Sequence, residues 1–371
     1  MKINPFYALG LCLLAASCSH KSEEGSGTVR FVRDVLSNRS SREAVIVTGA
    51  RPKPEGDVYV IGTDASCLKV SESLFSYDRH DNVDGRIVRD YLPDFAGERI
   101  CCVVDRAIRG YSDYLGDGGR DALREIVVRR VIDALDTLGY LSVFDTEGRS
   151  HRNGAKVVVL ADSYLAQVSK PDIDTLFNVL GCSVPILSSS IAVKDALAGY
   201  DPSRVGIMCS RESLESGVFD GYGFAACVDG SEEPLREFLD TCAASGRVEP
   251  FDAIVVDGLN VSLDTVQSEL SVMCSVMDKA SMIYGKWFSD SFKLLNSLEV
   301  LAERCYSLLR EGNLFTHNIS RPTFCLYAVL PRPDSETECL FVEGGLESLG
   351  AGFFEEMASV TPKLYSAYVQ E

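Results

Sequence analysis

Short apolar runs rich in β-branched residues alternate along the chain with stretches of helical periodicity. Nine runs have this character: Ala44–Thr48, Val58–Gly62, Arg99–Val104, Leu141–Phe144, Lys156–Ala161, Val184–Leu187, Arg204–Met208, Phe224–Val228 and Phe251–Val256. Most are apolar throughout, which is typical of parallel strands that helices cover on both faces. The pattern therefore predicts an α/β fold with doubly wound parallel sheets.

Helix boundaries between these runs are marked by capping residues and glycines. The clearest helix runs from Asp121 to Leu138; others begin at Pro171, Ser190 and Ser231. After Val261 the pattern is mostly helical to about Leu309. Two extended runs, Thr323–Leu330 and Glu338–Val342, and a helix over Leu346–Met357 follow. Residues 76–97 have no period and are predicted to form an ordered loop.

The length of 371 residues and an apolar content of 46% favour two lobes, each with its own core. We expect a first α/β lobe over residues 44–190 and a second over 191–330. Residues 331–371 would add a strand and a helix that return to one of the lobes. Residues 1–17 and 18–43 precede these lobes as a signal and a tether with lead-in.

The first 25 residues have the order of a secretion signal. A basic start at Lys2 precedes an apolar run over residues 6–14, then small residues, and then Cys18 and a polar stretch. The order resembles the lipobox of bacterial lipoproteins, with Ser17 before the cysteine as in Bacteroides-like signals. This resemblance implies cleavage before Cys18, acylation of Cys18 with palmitate or a similar chain, and a location in the cell envelope facing the periplasm or the cell surface.

The charge balance excludes one class of partner. The chain has 36 basic and 54 acidic residues, and removal of residues 1–17 takes away only Lys2, so 35 minus 54 leaves −19. Such a surface repels nucleic acids and anionic membranes. We therefore expect no nucleic-acid partner, and we expect any membrane contact to pass through the lipid.

The cysteines do not form a recognisable metal motif. There are 13 cysteines but no CxxC spacing, and the chain has only four histidines, so neither a zinc site nor another metal site is predicted. Most cysteines are expected to be small buried hydrophobes, with one or two disulfides that the sequence does not assign. His80, His151 and His317 lie in polar contexts and are expected to be exposed.

Polar side chains follow the predicted strands at their carboxyl ends. In open α/β sheets ligands bind at this edge, although Ser190, Ser210 and Ser231 are expected mainly to cap helices. The candidate residues that we assign to a site are Asp105, Arg106, Asp162, Ser163, Ser188, Ser189, Asp229, Asp257 and Asn260. Together they predict a polar, mildly acidic crevice that suits hydroxyl and amino groups better than an anion.

Motifs for nucleotides and nucleophiles are missing from the sequence. Gly118, Gly119 and Arg120 precede a predicted helix and could meet an anion, but they lack the P-loop and dinucleotide fingerprints. There is also no GxSxG and no HExxH. No catalytic residue and no cofactor are therefore predicted.

One segment, LGCSVPI at residues 180–186, resembles the second cysteine motif of aspartate/glutamate racemases. That family is implied to use two opposed cysteines as acid and base on a two-domain fold. Here Ser183 and Val184 replace the expected Thr and His, and the first Cys-Asn-Thr motif is missing. An enzyme of racemase or hydrolase type, with Cys182 or Cys209 as its thiol, is the alternative prediction.

The leading prediction rests on the order of the predicted strands and helices along the chain. The order of elements, including YDPSRVGIM at residues 200–208 and FDAIVVDG at residues 251–258, resembles type I periplasmic-binding-protein-like lipoproteins. This resemblance implies a non-catalytic binder of a nucleoside, a sugar or an amino-acid-like solute between two closing lobes, with a transport or receptor protein in the membrane as a further partner. It also implies stacking on Tyr111, Tyr164 or Tyr222. A surface lipoprotein that contacts another protein is a third alternative.

Overall fold

The computed structural model describes residues 27–108, 110–116, 118–140, 149–257, 261–275, 283–318, 320–332 and 339–370. Within these residues the chain has a mixed α/β fold built on two largely parallel sheets. The predicted α/β class with two units of parallel sheet is thereby confirmed. None of the described helices is long and apolar enough to cross a membrane.

The strands in chain order are β1 (Asp57–Gly62), β2 (Arg99–Asp105), β3 (Leu138–Tyr140), β4 (Arg149–His151), β5 (Ala155–Leu160), β6 (Ile186–Ser188), β7 (Val205–Cys209), β8 (Phe224–Cys227), β9 (Phe251–Asp257), β10 (Phe288–Asn296), β11 (Thr323–Pro331) and β12 (Cys339–Glu343). Sheet 1 has the order β4-β3-β12-β11-β2-β1-β5-β6, and sheet 2 has the order β10-β9-β7-β8. Sheet 2 is wholly parallel. In sheet 1 only the pairs β11–β12 and β3–β4 are antiparallel.

The α-helices are α1 (Arg30–Ser37), α2 (Arg42–Gly49), α3 (Asp64–Phe75), α4 (Arg120–Leu135), α5 (Ser163–Leu180), α6 (Ser189–Ala196), α7 (Arg211–Ser216), α8 (Pro234–Ala244), α9 (Leu263–Met273), α10 (Ser297–Glu311), α11 (Leu346–Leu349), α12 (Ala351–Val360) and α13 (Pro362–Gln370). Each parallel strand pair in sheet 1 or sheet 2 needs a crossover, and most of these helices provide one.

Each face of sheet 1 is buried because alternate residues of its strands point to opposite sides. On β2, Cys101 and Val103 pack with α1, α2, α4 and α5. Ile100, Cys102 and Val104 pack on the other side with α3, α10 and the C-terminal helices. The continuous apolar runs recognised in the sequence are therefore the signature of this two-sided burial.

Two helices join the sheets. Helix α6 follows β6 of sheet 1, yet its Val193 packs against sheet 2. Helix α10 follows β10 of sheet 2, yet its Leu301 and Cys305 pack in the core of sheet 1. Because α6 and α10 also contact each other, they hold the carboxyl edge of one sheet against that of the other.

In each sheet the chain first adds a strand on one side of an existing strand and later adds one on the other side, and this reversal lies at the junction. In sheet 1 the chain passes from β1 to β2 on one side, and β5 is added on the other side of β1. In sheet 2 it passes from β7 to β8, and β9 is added on the other side of β7. Such switch points leave a crevice at the carboxyl ends of the strands.

Several sequence predictions of individual elements are wrong. Residues 44–48 belong to helix α2 and not to a strand, since Ser41 caps the helix and Ala44 and Val47 are buried. Pro171 lies inside α5 instead of opening a helix. Helix α8 is preceded by Glu233 and not by Ser231. The region after Val261 contains strand β10.

Other predictions have mixed outcomes. The predicted strand Leu141–Phe144 falls outside the described residues. Residues 76–97 form an ordered loop, as expected. His80 in this loop is 4% exposed, so its predicted exposure is wrong. Its imidazole lies against Asp94 and Glu303 and stacks on Tyr306 with ring centroids 4.2 Å apart.

Candidate functional site

A cavity of about 210 Å³ lies where the two switch points meet. Residues that follow β1, β5, β6, β7 and β10, together with the last residue of β9, line it, and most carry hydroxyl or carboxyl groups. The lining consists of Thr63, Ala65, Ser66, Ser112, Ala161, Asp162, Ser163, Tyr164, Ser189, Ser210, Glu212, Ser213, Asp257, Asn296, Ser297 and Leu298. Both sheets contribute, so the cavity exists only when the two are joined.

Asp162 marks the sheet 1 side of the cavity. It precedes α5, and its carboxylate accepts a hydrogen bond of 3.0 Å from Ser66 Oγ. Burial raises the pKa of Asp162 to about 7; the charges of Glu212 and Asp257 add to this rise, and the Ser66 hydrogen bond opposes it. At neutral pH this carboxyl group is therefore close to half protonated.

Asp257 marks the sheet 2 side, at the last position of β9. Ser163 Oγ donates a hydrogen bond of 2.6 Å to its carboxylate, and Ser189 Oγ lies 2.5 Å from Ser163 Oγ. Burial raises the pKa of Asp257 to about 6, against the effect of hydrogen bonds from Ser163, Ser297 and Ser189. The hydroxyl groups thus keep Asp257 more acidic than Asp162.

The close approach of the ends of β1 and β5 brings Ser66 next to Asp162. Gly62 ends β1, and a Cβ atom there would lie 2.7 Å from Ala161 Cβ and 2.8 Å from Ser66 Oγ. Because glycine adds no side chain, the ends of β1 and β5 can sit side by side with the first turn of α3 above them. Ser66 then reaches the carboxyl group of Asp162.

The remaining walls are polar but carry no cation. Ser210 caps α7 by accepting a hydrogen bond from Ser213 N, which places Glu212 at the cavity in the first turn of the helix. Tyr164 is 5% exposed, and burial raises the pKa of its phenol above the ordinary value. Among the described residues that line the cavity, three are carboxylic acids and none is Lys or Arg.

The structure brings five of the candidate residues together, namely Asp162, Ser163, Ser189, Asp257 and Tyr164. Asp105 lies outside the cavity because its buried carboxylate accepts hydrogen bonds from Arg130 Nε (2.6 Å) and from the buried Tyr111 hydroxyl (3.0 Å). Asp105 and Tyr111, which we expected to contact a ligand, therefore bind other side chains of the protein.

The other candidates also lie away from the cavity. Ser188 is fully buried, where it caps α6. Asp229 is exposed and accepts a hydrogen bond from Arg211 N. Tyr222 packs near Phe219. The guanidinium of Arg106 lies 5.9 Å from the ring centroid of Phe353, and Asn260 falls outside the described residues.

Sequence reasoning missed several lining residues. Thr63 directly follows β1, so the search for polar residues at the carboxyl ends of strands could have found it. Asn296 and Ser297 stand at the end of β10, which had no recognisable strand pattern. Ser66 and Ser112 are neither at a strand end nor in a motif, and only the folded chain places them here.

The cysteines expected in a thiol enzyme do not line the cavity. Cys182 follows α5 and precedes β6, so it lies at the amino end of that strand, away from the carboxyl end where the cavity is. Cys209 ends β7, but it is fully buried, and burial with the Asp257 charge raises its pKa well above the ordinary value. The thiol-based form of the enzyme prediction therefore finds no support in this cavity.

The glycine segment before α4 lies apart from the site. Gly118 has a left-handed backbone with φ of 79°, and Gly119 packs so closely on Tyr114 that its Cβ would lie 2.5 Å from the Tyr114 carbonyl oxygen. These contacts describe a tight turn that starts the helix. The described part of the chain also holds no cluster of three or more His, Cys, Asp or Glu residues suited to a metal ion.

No protein-family model matches the sequence, and no curated protein matches it. Among solved structures, it is similar to the glutamate racemase isoform RacE1 from Bacillus anthracis, with 12% identity and a TM-score of 0.47 over 82% of this chain and 93% of that one. The glutamate racemase from Thermus thermophilus in complex with β-chloro-D-alanine has 15% identity and a TM-score of 0.43, covering 80% and 100%. An aspartate racemase homologue from Pyrococcus horikoshii has 11% identity and a TM-score of 0.39, covering 68% and 99%.

These comparisons correct two predictions. The similar structures are two glutamate racemases and an aspartate racemase homologue, and they contradict the prediction of a non-catalytic solute-binding protein and the prediction that the chain is not an enzyme.

Proposed function

We propose that this chain is an enzyme that inverts a stereogenic carbon of a small polar substrate by moving a proton, as racemases and epimerases do. One observation carries the proposal. Asp162 and Asp257 come from different sheets, reach the same cavity, and both have a pKa raised toward neutrality. Inversion of a C–H centre needs one proton acceptor and one proton donor on different sides of the carbon, and the carboxyl groups carried by the two sheets are the pair that we propose for these roles.

The two pKa values assign complementary roles to the pair. With a pKa of about 6, Asp257 is mostly ionised at pH 7 and can accept a proton. Asp162, with a pKa of about 7, is protonated in a large fraction of molecules and can donate one. Because the two charges interact, the pair titrates as a unit, and the singly protonated pair is the active form.

The proposed step is balanced and needs no net redox change. The ionised carboxylate takes the proton from the carbon, and the electrons of the C–H bond stay on the substrate as a carbanion. The protonated carboxyl group on the other side then gives its proton to that carbon. The configuration is inverted, and the two carboxyl groups have exchanged protonation states, which prepares them for the reverse reaction.

The lining of the cavity indicates the class of substrate. Asp162, Glu212 and Asp257 favour an ammonium group, and the surrounding hydroxyl groups can bind amino, hydroxyl or carbonyl groups. With no lysine or arginine in the described lining, a substrate with several negative charges would be repelled. We infer a compact substrate, with an amino group or several hydroxyl groups, that fits about 210 Å³.

We also propose that the mature enzyme is lipid-anchored in the cell envelope through Cys18. The signal-like residues 1–17 and the polar stretch after Cys18 support this. A membrane partner beyond the lipid, and a closer likeness to the type I periplasmic-binding-protein topology, stay predictions. The reaction proposed here does not depend on either.

Hydrogen–deuterium exchange at carbon tests the reaction. The full chain is incubated in D₂O with a panel of amino acids, amino sugars and polyols, and deuterium at each stereogenic carbon is measured by NMR. We expect exchange with inversion for at least one amino- or hydroxyl-bearing compound. Asp162→Asn and Asp257→Asn should each reduce the rate of inversion by roughly two to four orders of magnitude, because each removes an acid–base group.

Asp229→Asn is the matched control. Asp229 is also an aspartate beyond the end of a sheet 2 strand, but it is exposed and outside the cavity. This variant should exchange at the wild-type rate. Inversion that survives in both the Asp162→Asn and Asp257→Asn variants would rule out the two-carboxylate reaction.

A further inference from the structure

Four cysteines form two close pairs in the core of sheet 1. Cys101 Sγ lies 2.7 Å from Cys325 Sγ, and Cys102 Sγ lies 2.7 Å from Cys67 Sγ. Cys101 and Cys102 are consecutive on β2, so their side chains point to opposite faces of the sheet. One pair therefore lies in each of the two cores of sheet 1.

The backbone places each pair where a bond can form. Cys101 and Cys325 are direct partners in the parallel ladder of β2 and β11. Adjacent strands are about 4.7–4.9 Å apart, and the Cα atoms of a disulfide are about 4.4–6.8 Å apart. In the second pair, Cys67 on α3 faces β2 and its sulfur also lies 3.5 Å from the carbonyl oxygen of Val103.

The four cysteines are unbonded in this structure, and the separation of 2.7 Å is longer than an S–S bond of about 2.0 Å but shorter than an ordinary contact. Non-bonded heavy atoms rest at roughly 3.5–4.0 Å from each other, so each pair is closer than packing alone requires. Cys242 and Cys305 are also fully buried, but among the described residues neither makes a close contact with another sulfur. The close approach is thus specific to the four cysteines around β2.

We propose that Cys67–Cys102 and Cys101–Cys325 are two disulfide bonds of the exported protein. The residues before Cys18 resemble an export signal, and exported proteins fold where thiols are oxidised. Each bond forms as two thiols lose two protons and two electrons to the disulfide of an exchange partner, a protein or glutathione disulfide, which is reduced to two thiols.

The two bonds form while the chain folds. Burial raises the pKa of Cys67 and Cys101 well above the ordinary value, and the thiolate is the attacking species in disulfide exchange. The folded interior also excludes a partner disulfide from four buried or half-buried sulfurs. A chain folded in a reducing compartment therefore keeps these four thiols.

The experiment uses the full chain expressed in a bacterium with its own N-terminal segment. Protein from the envelope fraction is unfolded without reductant, blocked with N-ethylmaleimide, digested with trypsin and analysed by mass spectrometry. Trypsin does not cut between Cys101 and Cys102, so the two bonds predict one species of three linked peptides that separates on reduction. Cys242 and Cys305 should carry N-ethylmaleimide in the same digest.

Two variants separate the bonds. In Cys325→Ser only two peptides, those of Cys67 and Cys101–Cys102, should stay linked, and Cys101 should become labelled. The matched variant Cys305→Ser alters a buried cysteine on α10 and should leave the three-peptide species intact. N-ethylmaleimide on all four cysteines of the wild-type protein, any other pairing, or recovery of the protein only from the cytosol would overturn the proposal.

Discussion

Replacing Asp162 by asparagine should make the protein inactive but more stable at high pH. Asparagine has the same shape and can still accept the hydrogen bond from Ser66. It removes the cost of holding an ionised carboxylate in a buried, acidic surrounding. The change therefore separates the role of the carboxyl group in catalysis from its effect on folding.

The size of the effect follows from the raised pKa. A carboxyl group with a pKa of about 7 in the folded state and about 3.9 in the unfolded state binds more protons in the folded protein between these values. Its contribution to stability is complete below pH 4 and is lost as the pH rises through 7. At about 1.4 kcal/mol per pKa unit the loss is at most roughly 4 kcal/mol, because Asp162 is partly exposed and solvent screening reduces the penalty.

Urea unfolding of the wild-type protein and of Asp162→Asn at pH 4.5, 6 and 8 measures the difference. The variant should be more stable by at most about 1 kcal/mol at pH 4.5 and by about 2–4 kcal/mol at pH 8. The exposed control Asp229→Asn should follow the wild type at each pH. A difference that is constant across pH, or a variant less stable at pH 8, would refute the raised pKa.

Three further outcomes follow from the described contacts. The exchange rate per enzyme at low substrate concentration should follow a bell-shaped pH curve centred between about 6 and 7, because only the singly protonated Asp162–Asp257 pair is active; a rate that stays flat from pH 5 to 9 would contradict this. Cys182→Ser should change the exchange rate by less than about threefold, since Cys182 lies at the amino end of β6; a large loss of exchange would restore the thiol mechanism. Arg130→Met should reduce the free energy of unfolding by about 3–5 kcal/mol in urea, because it leaves the buried Asp105 carboxylate without its cation; a change below about 1 kcal/mol would show that the ion pair has little weight.

The sequence predicted strands and helices correctly where the residue pattern of a segment matches its burial in the fold. The run at residues 156–161 is apolar after Lys156, and it overlaps β5, an interior strand of sheet 1. Strand β10 was missed because it is an edge strand with no fully buried position and with the exposed charged residues Asp290 and Lys293 in its middle. The β-branched run at residues 44–48 was misread because packing of Ala44 and Val47 on the core outweighs strand propensity.

The search for polar residues at the carboxyl ends of strands found residues with suitable chemistry for the site, but it could not tell which of them lie in the cavity. It chose Asp105, Asp162, Asp229 and Asp257 alike, since each follows or ends an apolar run. Only the strand order shows that β5 and β9 flank the switch points, whereas Asp105 ends a strand that is paired with β11 and meets Arg130. Strand order depends on contacts between distant segments, so no local pattern could have separated the four aspartates.

The charge of the cavity also determines which substrates the carboxyl pair can serve. A bound anion would raise the pKa of both Asp162 and Asp257 further, because each would ionise next to another negative charge. Both groups would then be protonated at neutral pH, and no base would be left to take the proton. A substrate with an ammonium group has the opposite effect, since it lowers both pKa values: Asp257 stays ionised as the base, and Asp162, which has the higher pKa, is the last of the two to lose its proton. The same three carboxyl groups that would repel an anion therefore make the proton transfer depend on a cationic or neutral substrate.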